Sequence, residues 1–389
     1  MRQSMLTREQ KKILELLKEI DIICRKNKIT YFLSPYFTLC AVTGRPFPMN
    51  PMTGAVYMKP ADMERFKNAF EEEPGLRRAL ESMDNNKHFP NFHLRYTDKD
   101  TLFYRLDDYG KYQHPGMAVN ILPLQCEYGP KRKYLWNRML EEGWKKINGK
   151  NSRWKTKRDF MCIWTVRFLS LCGREWLGKR IFRDLIHQPQ EEVKTYVVRT
   201  MNKNTYYPAY VFEESLEMEL EGERFFVPGD TDKYLTVAFG KKYQNKDPEN
   251  YRPSPVVMCS ALIPCEEFMQ QSKELKKLAA SRRKRARRTD FGMSYKKYFN
   301  KCWDYAKFCG KKYTCARAYR QKLDYIRNLY KNADYVQLEN AFSEYTNVMN
   351  KCLNYDEIFE ADPEILDLYM QYLEKTGRIP LLEKVKKYV

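Results

Sequence analysis

Residues 31–66, YFLSPYFTLCAVTGRPFPMNPMTGAVYMKPADMERF, constrain the fold more than any other stretch of this chain. Tyr31-Phe32-Leu33-Ser34 reads as a short apolar strand, and Thr38-Leu39-Cys40-Ala41-Val42 as a helix. A Gly/Pro turn follows, then a second strand at Ala55-Val56-Tyr57-Met58 and a helix entered through Pro60 and Asp62. A strand, a polar turn and a helix N-terminus in that order form a common frame for holding phosphate. Upstream, Thr7-Arg8-Glu9-Gln10 forms a capping box ahead of Ile13, Leu16, Leu17, Ile20 and Ile23, which predicts an amphipathic helix packed on a sheet.

The pattern continues downstream. Met63, Phe66 and Phe70 give the next helix an apolar face. Phe92-His93-Leu94-Arg95-Tyr96 and Leu102-Phe103-Tyr104-Arg105-Leu106 read as strands, with a hairpin across Thr97 to Thr101 as the simplest connection. Gly116 to Gln125, GMAVNILPLQ, keeps an apolar frame of Val119, Ile121, Leu122 and Leu124. Lys131 to His187 is expected to be helical, with Trp136, Trp144, Trp154, Trp164 and Trp176 as core anchors. Glu219 to Gly229 ends in a Pro/Gly turn and leads through Tyr234-Leu235 to Phe239-Gly240.

These landmarks, in this order, resemble the LicD family of nucleotidyltransferase-fold proteins, which includes bacterial phosphocholine transferases and the fukutins. The resemblance runs without a gap from Tyr31 to Phe66 and covers roughly Leu14 to Pro253. It implies an α/β fold: a nucleotidyltransferase-like mixed sheet flanked by helices. It also implies transfer of phosphocholine or a polyol phosphate from a CDP-activated donor, with Mg²⁺ held by carboxylates. The departures fall on the chemistry. Pro35-Tyr36 stands where the family has Gly-Gly, and the family's acidic cluster falls on Pro51, Met52, Thr53 and Ala55. The two acids of the later strand fall on Asn120 and Gln125. Neutral oxygens are poor ligands for a hard dication, so the inherited reaction is expected to be lost, with no metal and no cofactor required. An active divergent enzyme is the alternative, with Asp107 and Asp108 as replacement ligands, Mg²⁺ and the CDP-activated donor retained. Substrate-pocket candidates are Ser34, Thr38, Arg45 and Lys59. Asp62 reads as favourable charge on a helix N-terminus. His93 and His114 read as structural. Cys302, Cys309 and Cys315 lack zinc spacing and read as helix packing.

Charge divides the chain further. Lys273 to Lys331 holds twenty Lys/Arg against four Asp/Glu, so this segment carries +16 of the net +20 of the 389 residues. Within it, Arg282, Arg283, Lys284, Arg285, Arg287 and Arg288 form a run suited to an anionic membrane surface, with nucleic acid as the competing polyanion. The expected organisation is a LicD-like domain at 1–270, a basic linker at 271–292 and a helical C-terminal extension at 293–389. No apolar stretch reaches the ~20 residues of a membrane span, and the N-terminus lacks the apolar core of a signal peptide. A cytoplasmic protein, peripheral at the inner face of the membrane, is expected. Its expected partners are a glycopolymer or lipid-linked precursor and an active family paralogue.

Overall fold

The computed structural model describes residues 6–44, 53–86, 89, 91–104, 112–126, 131–148, 156–186, 193–200, 204–245, 258–261, 264–266, 308, 311–312, 315–316, 318–354 and 358–389. These residues form a mixed α/β structure with several small sheets and a helical C-terminal region. The Lys/Arg run at 282–288 lies outside them, as do the proposed linker and Arg45, Pro51, Met52, Asp107 and Asp108.

The chain opens with helix α1 (Arg8–Lys26). The capping box is present: the Thr7 hydroxyl accepts from Gln10 N, and Gln10 Oε1 accepts from Thr7 N at 2.8 Å. Ile13, Leu16, Leu17, Ile20 and Cys24 are buried along one stripe, each large side chain worth ~1.5–3 kcal/mol of transfer energy. Strand β1 (Tyr31–Leu33) follows, then α2 (Pro35–Thr43), β2 (Thr53–Met58) and α3 (Pro60–Glu72). Proline occupies the first turn of both α2 and α3, where its missing N–H costs nothing. Gly44 ends α2 at φ +61°, a left-handed cap that a side chain resists.

The central sheet adds β3 (Arg78–Glu81), β4 (Leu94–Asp98) and β6 (Ala118–Pro123), in the order β1-β2-β6-β4-β3. β2 and β6 are parallel; the other neighbours are antiparallel. Alternation divides its two faces. Tyr31, Leu33, Val56, Met58, Val119, Ile121, Leu94 and Tyr96 enter the core that α1 and α3 cover. Phe32, Tyr57 and Leu122 enter a second core on the other face, beneath Tyr207, Phe212 and Tyr234.

The expected hairpin between the two strands after Phe92 does not form. β5 (Leu102–Tyr104) pairs instead with β12 (Met258–Ser260), antiparallel. Its partner lies more than 150 residues away, so local sequence could not reveal it. Smaller sheets are β7 (Gln125–Cys126) with β8 (Thr195–Arg199) and β9 (Asn204–Pro208), and the hairpin β10 (Ser215–Leu220) with β11 (Glu223–Pro228). That hairpin leads into α7 (Thr231–Phe239), where the strand, turn and helix were expected.

Helices α4 (Lys131–Asn148), α5 (Lys157–Leu169) and α6 (Arg174–Ile186) pack together. α4 and α5 run antiparallel: Lys146 pairs with Asp159 at 2.8 Å, and Gly143 faces Cys162. A Cβ at Gly143 would lie 2.3 Å from the Cys162 carbonyl, so glycine permits this approach. Trp144 is buried as expected. Trp136, Trp164 and Trp176 are not core anchors: they are 46%, 55% and 49% exposed. Each indole sits on a part of its helix that the core does not cover. Trp154 lies outside the described residues.

The C-terminal region contains α8 (Leu323–Lys331), α9 (Tyr335–Leu353), α10 (Pro363–Lys375) and α11 (Ile379–Lys386). Its centre is aromatic, with Tyr319, Phe342, Tyr345, Phe359, Tyr369 and Tyr372 in contact. It docks on the start of α1. Arg8 Nη1 donates to the Tyr388 carbonyl, Arg8 Nε lies 3.2 Å from Glu360, and Arg320 Nη2 donates to Gln10 Oε1 at 3.3 Å. The hydrophobic core is continuous from Leu6 to Val385. Within the basic segment 273–331, Phe308, Cys315, Ala316, Tyr319, Ile326 and Leu329 are buried in that core.

Candidate functional site

Register builds the candidate site. Ser34 continues β1 and donates its backbone N–H to the Ala55 carbonyl at 3.1 Å. Ala55 pairs with Asn120, Asn120 with Arg95, and Arg95 with Glu81. Residues paired across strands share a face. One row therefore crosses all five strands as Ser34, Ala55, Asn120, Arg95 and Glu81, on the face opposite α1. Two of its members, Ala55 and Asn120, are positions where the family resemblance implies carboxylates.

The far end of the row is a buried ionic network. Arg95 and Glu81 are each 2% exposed, with Nη1 to Oε1 at 3.9 Å. Arg95 donates to the carbonyls of His114 at 2.8 Å and Gly116 at 2.6 Å, and its guanidinium lies 4.2 Å from the Tyr112 ring. Glu81 accepts from His114 N at 2.8 Å, Gln113 N at 2.9 Å and Asn86 Nδ2 at 3.1 Å. Buried charges survive only when compensated in this way. The pair fastens the segment 112–116, which feeds β6, against β3 and β4.

His93 lies two residues before Arg95 on the same face, with a buried Nε2. Burial pushes its imidazole down to about 3, with further lowering from the charges of Arg95 and Lys145; a hydrogen bond with Asn120 opposes them. His93 is therefore neutral at physiological pH, and Asn120 is bound to it. This matches the structural role expected of His93. The alternation of Phe92, Leu94 and Tyr96 with His93 and Arg95 was the sequence signal for a polar half-face here.

The other expected site residues divide in the same way. Thr38 is fully buried and donates its hydroxyl to the Leu33 carbonyl at 3.1 Å. That hydrogen bond holds the turn from β1 into α2, so the hydroxyl is committed to the fold. Ser34 is buried at the N-cap of α2, and its side chain makes no capping bond. Lys59 is the half-buried N-cap of α3. Asp62, in the first turn of α3, pairs with Arg65 at 3.1 Å; burial raises its pKa, and Arg65 pulls against that. Thr53 contributes backbone to β2, opposite Ala118. Gln125 lies in β7 opposite Val197, with its buried Oε1 lacking a hydrogen-bond partner. On β8, Arg199 shares the face of Val197, and it lies 3.5 Å from Glu141 of α4. Lys145 approaches the same carboxylate at 2.6 Å. Glu141 and Lys145 are an i,i+4 pair within α4, but Arg199 reaches them from β8, a partner that local sequence does not reveal.

A divalent cation does not fit the central row. Asn120 offers an amide already bound to His93, Ala55 offers a methyl group, and the next member is a buried guanidinium. Mg²⁺ requires anionic oxygen ligands, and a fixed positive charge one strand away opposes it. Among the described residues, no three His, Cys, Asp or Glu side chains converge as a metal site. No helix among them is long and apolar enough to cross a membrane. No protein-family model and no curated protein matches the chain.

Proposed function

We propose that the chain is a divergent member of the LicD family that keeps a nucleotidyltransferase-like sheet and has lost the metal-dependent transfer. In this reading it binds a cell-surface glycopolymer or its lipid-linked precursor, or supports an active paralogue, at the inner face of the membrane. The observation that carries the reading is the row through Asn120. At the centre of the sheet, where a transferase would gather carboxylates, this chain has Ala55 and Asn120 beside Arg95. The buried cation there is committed to Glu81 and to two backbone carbonyls, so the row has no carboxylates left to gather a metal, which supports loss of the transfer reaction.

Titration calorimetry with CDP-choline, with and without Mg²⁺, tests this. The expected result is no metal-dependent binding. Stoichiometric, Mg²⁺-dependent binding at micromolar Kd would overturn the loss of function and direct attention to Asp107 and Asp108. Teichoic acid, anionic vesicles and RNA, compared at one ionic strength, test the partner class. Tighter binding to RNA than to teichoic acid or vesicles would favour a nucleic-acid-binding protein using residues 282–288.

A further inference from the structure

Eight of the twenty large apolar side chains exposed among the described residues fall between Leu135 and Trp176. α5 explains the concentration. Cys162, Ile163 and Val166 are buried on its inner side. A helix at the edge of a soluble protein turns polar residues outward. α5 turns Met161, Trp164 and Phe168 outward instead, at 61%, 55% and 67% exposure. These positions and Leu171, 82% exposed in the following turn, recur at helical spacing on one stripe. The antiparallel packing of α4 and α5 brings Trp136 beside the C-terminal end of α5. Trp176, 49% exposed, lies in the first turn of the next helix.

Cations outnumber acids around this stripe, although Arg158 pairs with Glu142 at 3.0 Å and Arg180 with Asp184 at 4.0 Å. Residues 157–183 hold seven Lys/Arg and two Asp/Glu, a net of +5. Both acids are already neutralised, Asp159 by Lys146 at 2.8 Å and Glu175 by Lys179 at 2.9 Å. Lys157 and Arg167 are exposed beside the stripe. An apolar stripe containing tryptophan and edged by cations matches the boundary between lipid headgroups and acyl chains. An acidic protein partner would satisfy the cations but leave the indoles without a bilayer's apolar depth.

We infer that the outer face of α5 and the start of α6 is a membrane-docking surface, which lies flat on an anionic bilayer with Trp164, Phe168 and Leu171 inserted. The inference stands on this face alone and does not depend on the function proposed above. It also differs from charge attachment through residues 282–288, which requires no insertion.

The full-length chain is incubated with vesicles of phosphatidylcholine, with and without phosphatidylglycerol, carrying bromine on their acyl chains. Binding should require phosphatidylglycerol, and acyl-chain bromine should quench tryptophan fluorescence. Trp164→Phe should remove the largest share of that quenching. The triple variant Met161→Ser/Phe168→Ser/Leu171→Ser should lower vesicle partitioning tenfold or more while leaving the thermal midpoint unchanged, because the three side chains are exposed. Binding without acyl-chain quenching of Trp164 would overturn the inference, as would equal partitioning of the triple variant. A large fall in its thermal midpoint would show that the chain itself covers the face. A lipid-free dimer lost in the triple variant would assign the face to a second copy.

Discussion

Replacing Arg95 with Met tests the energetics of the central row. Methionine keeps the volume and removes the charge. Arg95 donates two hydrogen bonds to backbone carbonyls, of His114 at 2.8 Å and Gly116 at 2.6 Å. Bonds from a charged donor are worth about 1.5–3 kcal/mol each, so their loss costs about 3–6 kcal/mol. The Tyr112 contact adds about 1 kcal/mol. Release from burying the guanidinium offsets part of this, but Glu81 keeps its charge at 2% exposure and loses its counter-ion. The net loss should be about 3–5 kcal/mol, a large fraction of a typical domain's 5–15 kcal/mol. Urea unfolding followed by circular dichroism measures it at constant m-value. The double variant Arg95→Met/Glu81→Gln should be less destabilised than additivity requires. Proton NMR supplies a second readout. The charge of Arg95 helps to hold His93 down to about 3, so its titration should move upward in Arg95→Met. A loss below about 1 kcal/mol with His93 unmoved would refute the account of a buried, compensated cation at the centre of the sheet.

His93 and Glu360 should push stability in opposite directions over an overlapping range, pH 4.5 to 6.5, where the two effects largely cancel. His93 is depressed from 6.5 to about 3, so the unfolded chain binds the extra proton, and stability falls as pH drops below 6.5, by about 2 kcal/mol at pH 5. Glu360 is raised from 4.5 to about 7 by burial and by Glu9, against the pull of Arg8. The native state holds that proton longer, so stability falls as pH rises from 4.5 to 7, by at most about 3 kcal/mol. Glu360→Gln should remove the fall between pH 4.5 and 7 and uncover the rise due to His93 in urea titrations at several pH values; an unchanged slope would remove Glu360 as a cause. Gly143→Ala should lower stability by about 2–4 kcal/mol, since its Cβ would lie 2.3 Å from the Cys162 carbonyl; an unchanged thermal midpoint would contradict the close packing of α4 on α5. Limited trypsin digestion should cut first within 282–288, and the two pieces should co-elute, because the core continues from Leu6 to Val385; separate elution would refute the docking on α1.

The sequence by itself determined what depends on neighbours a few residues apart. The Thr7–Gln10 cap, the stripe Ile13, Leu16, Leu17 and Ile20, and the proline entry to α3 are local signals, and each element stands where they place it. The absence of carboxylates at Ala55, Asn120 and Gln125 was likewise legible as residue identity. Only the tertiary structure decided what those residues face. Strand register placed Arg95 beside Asn120 and Glu81 beside Arg95, although the three lie on three different strands. Long-range pairing gave β5 to β12 and denied it a local hairpin. The tryptophans make the same distinction: an indole's composition favours burial, but whether it is buried depends on what the fold packs against it. Trp144 found a core and Trp164 found solvent, because burial is a property of the neighbours that folding supplies and not of the residue alone.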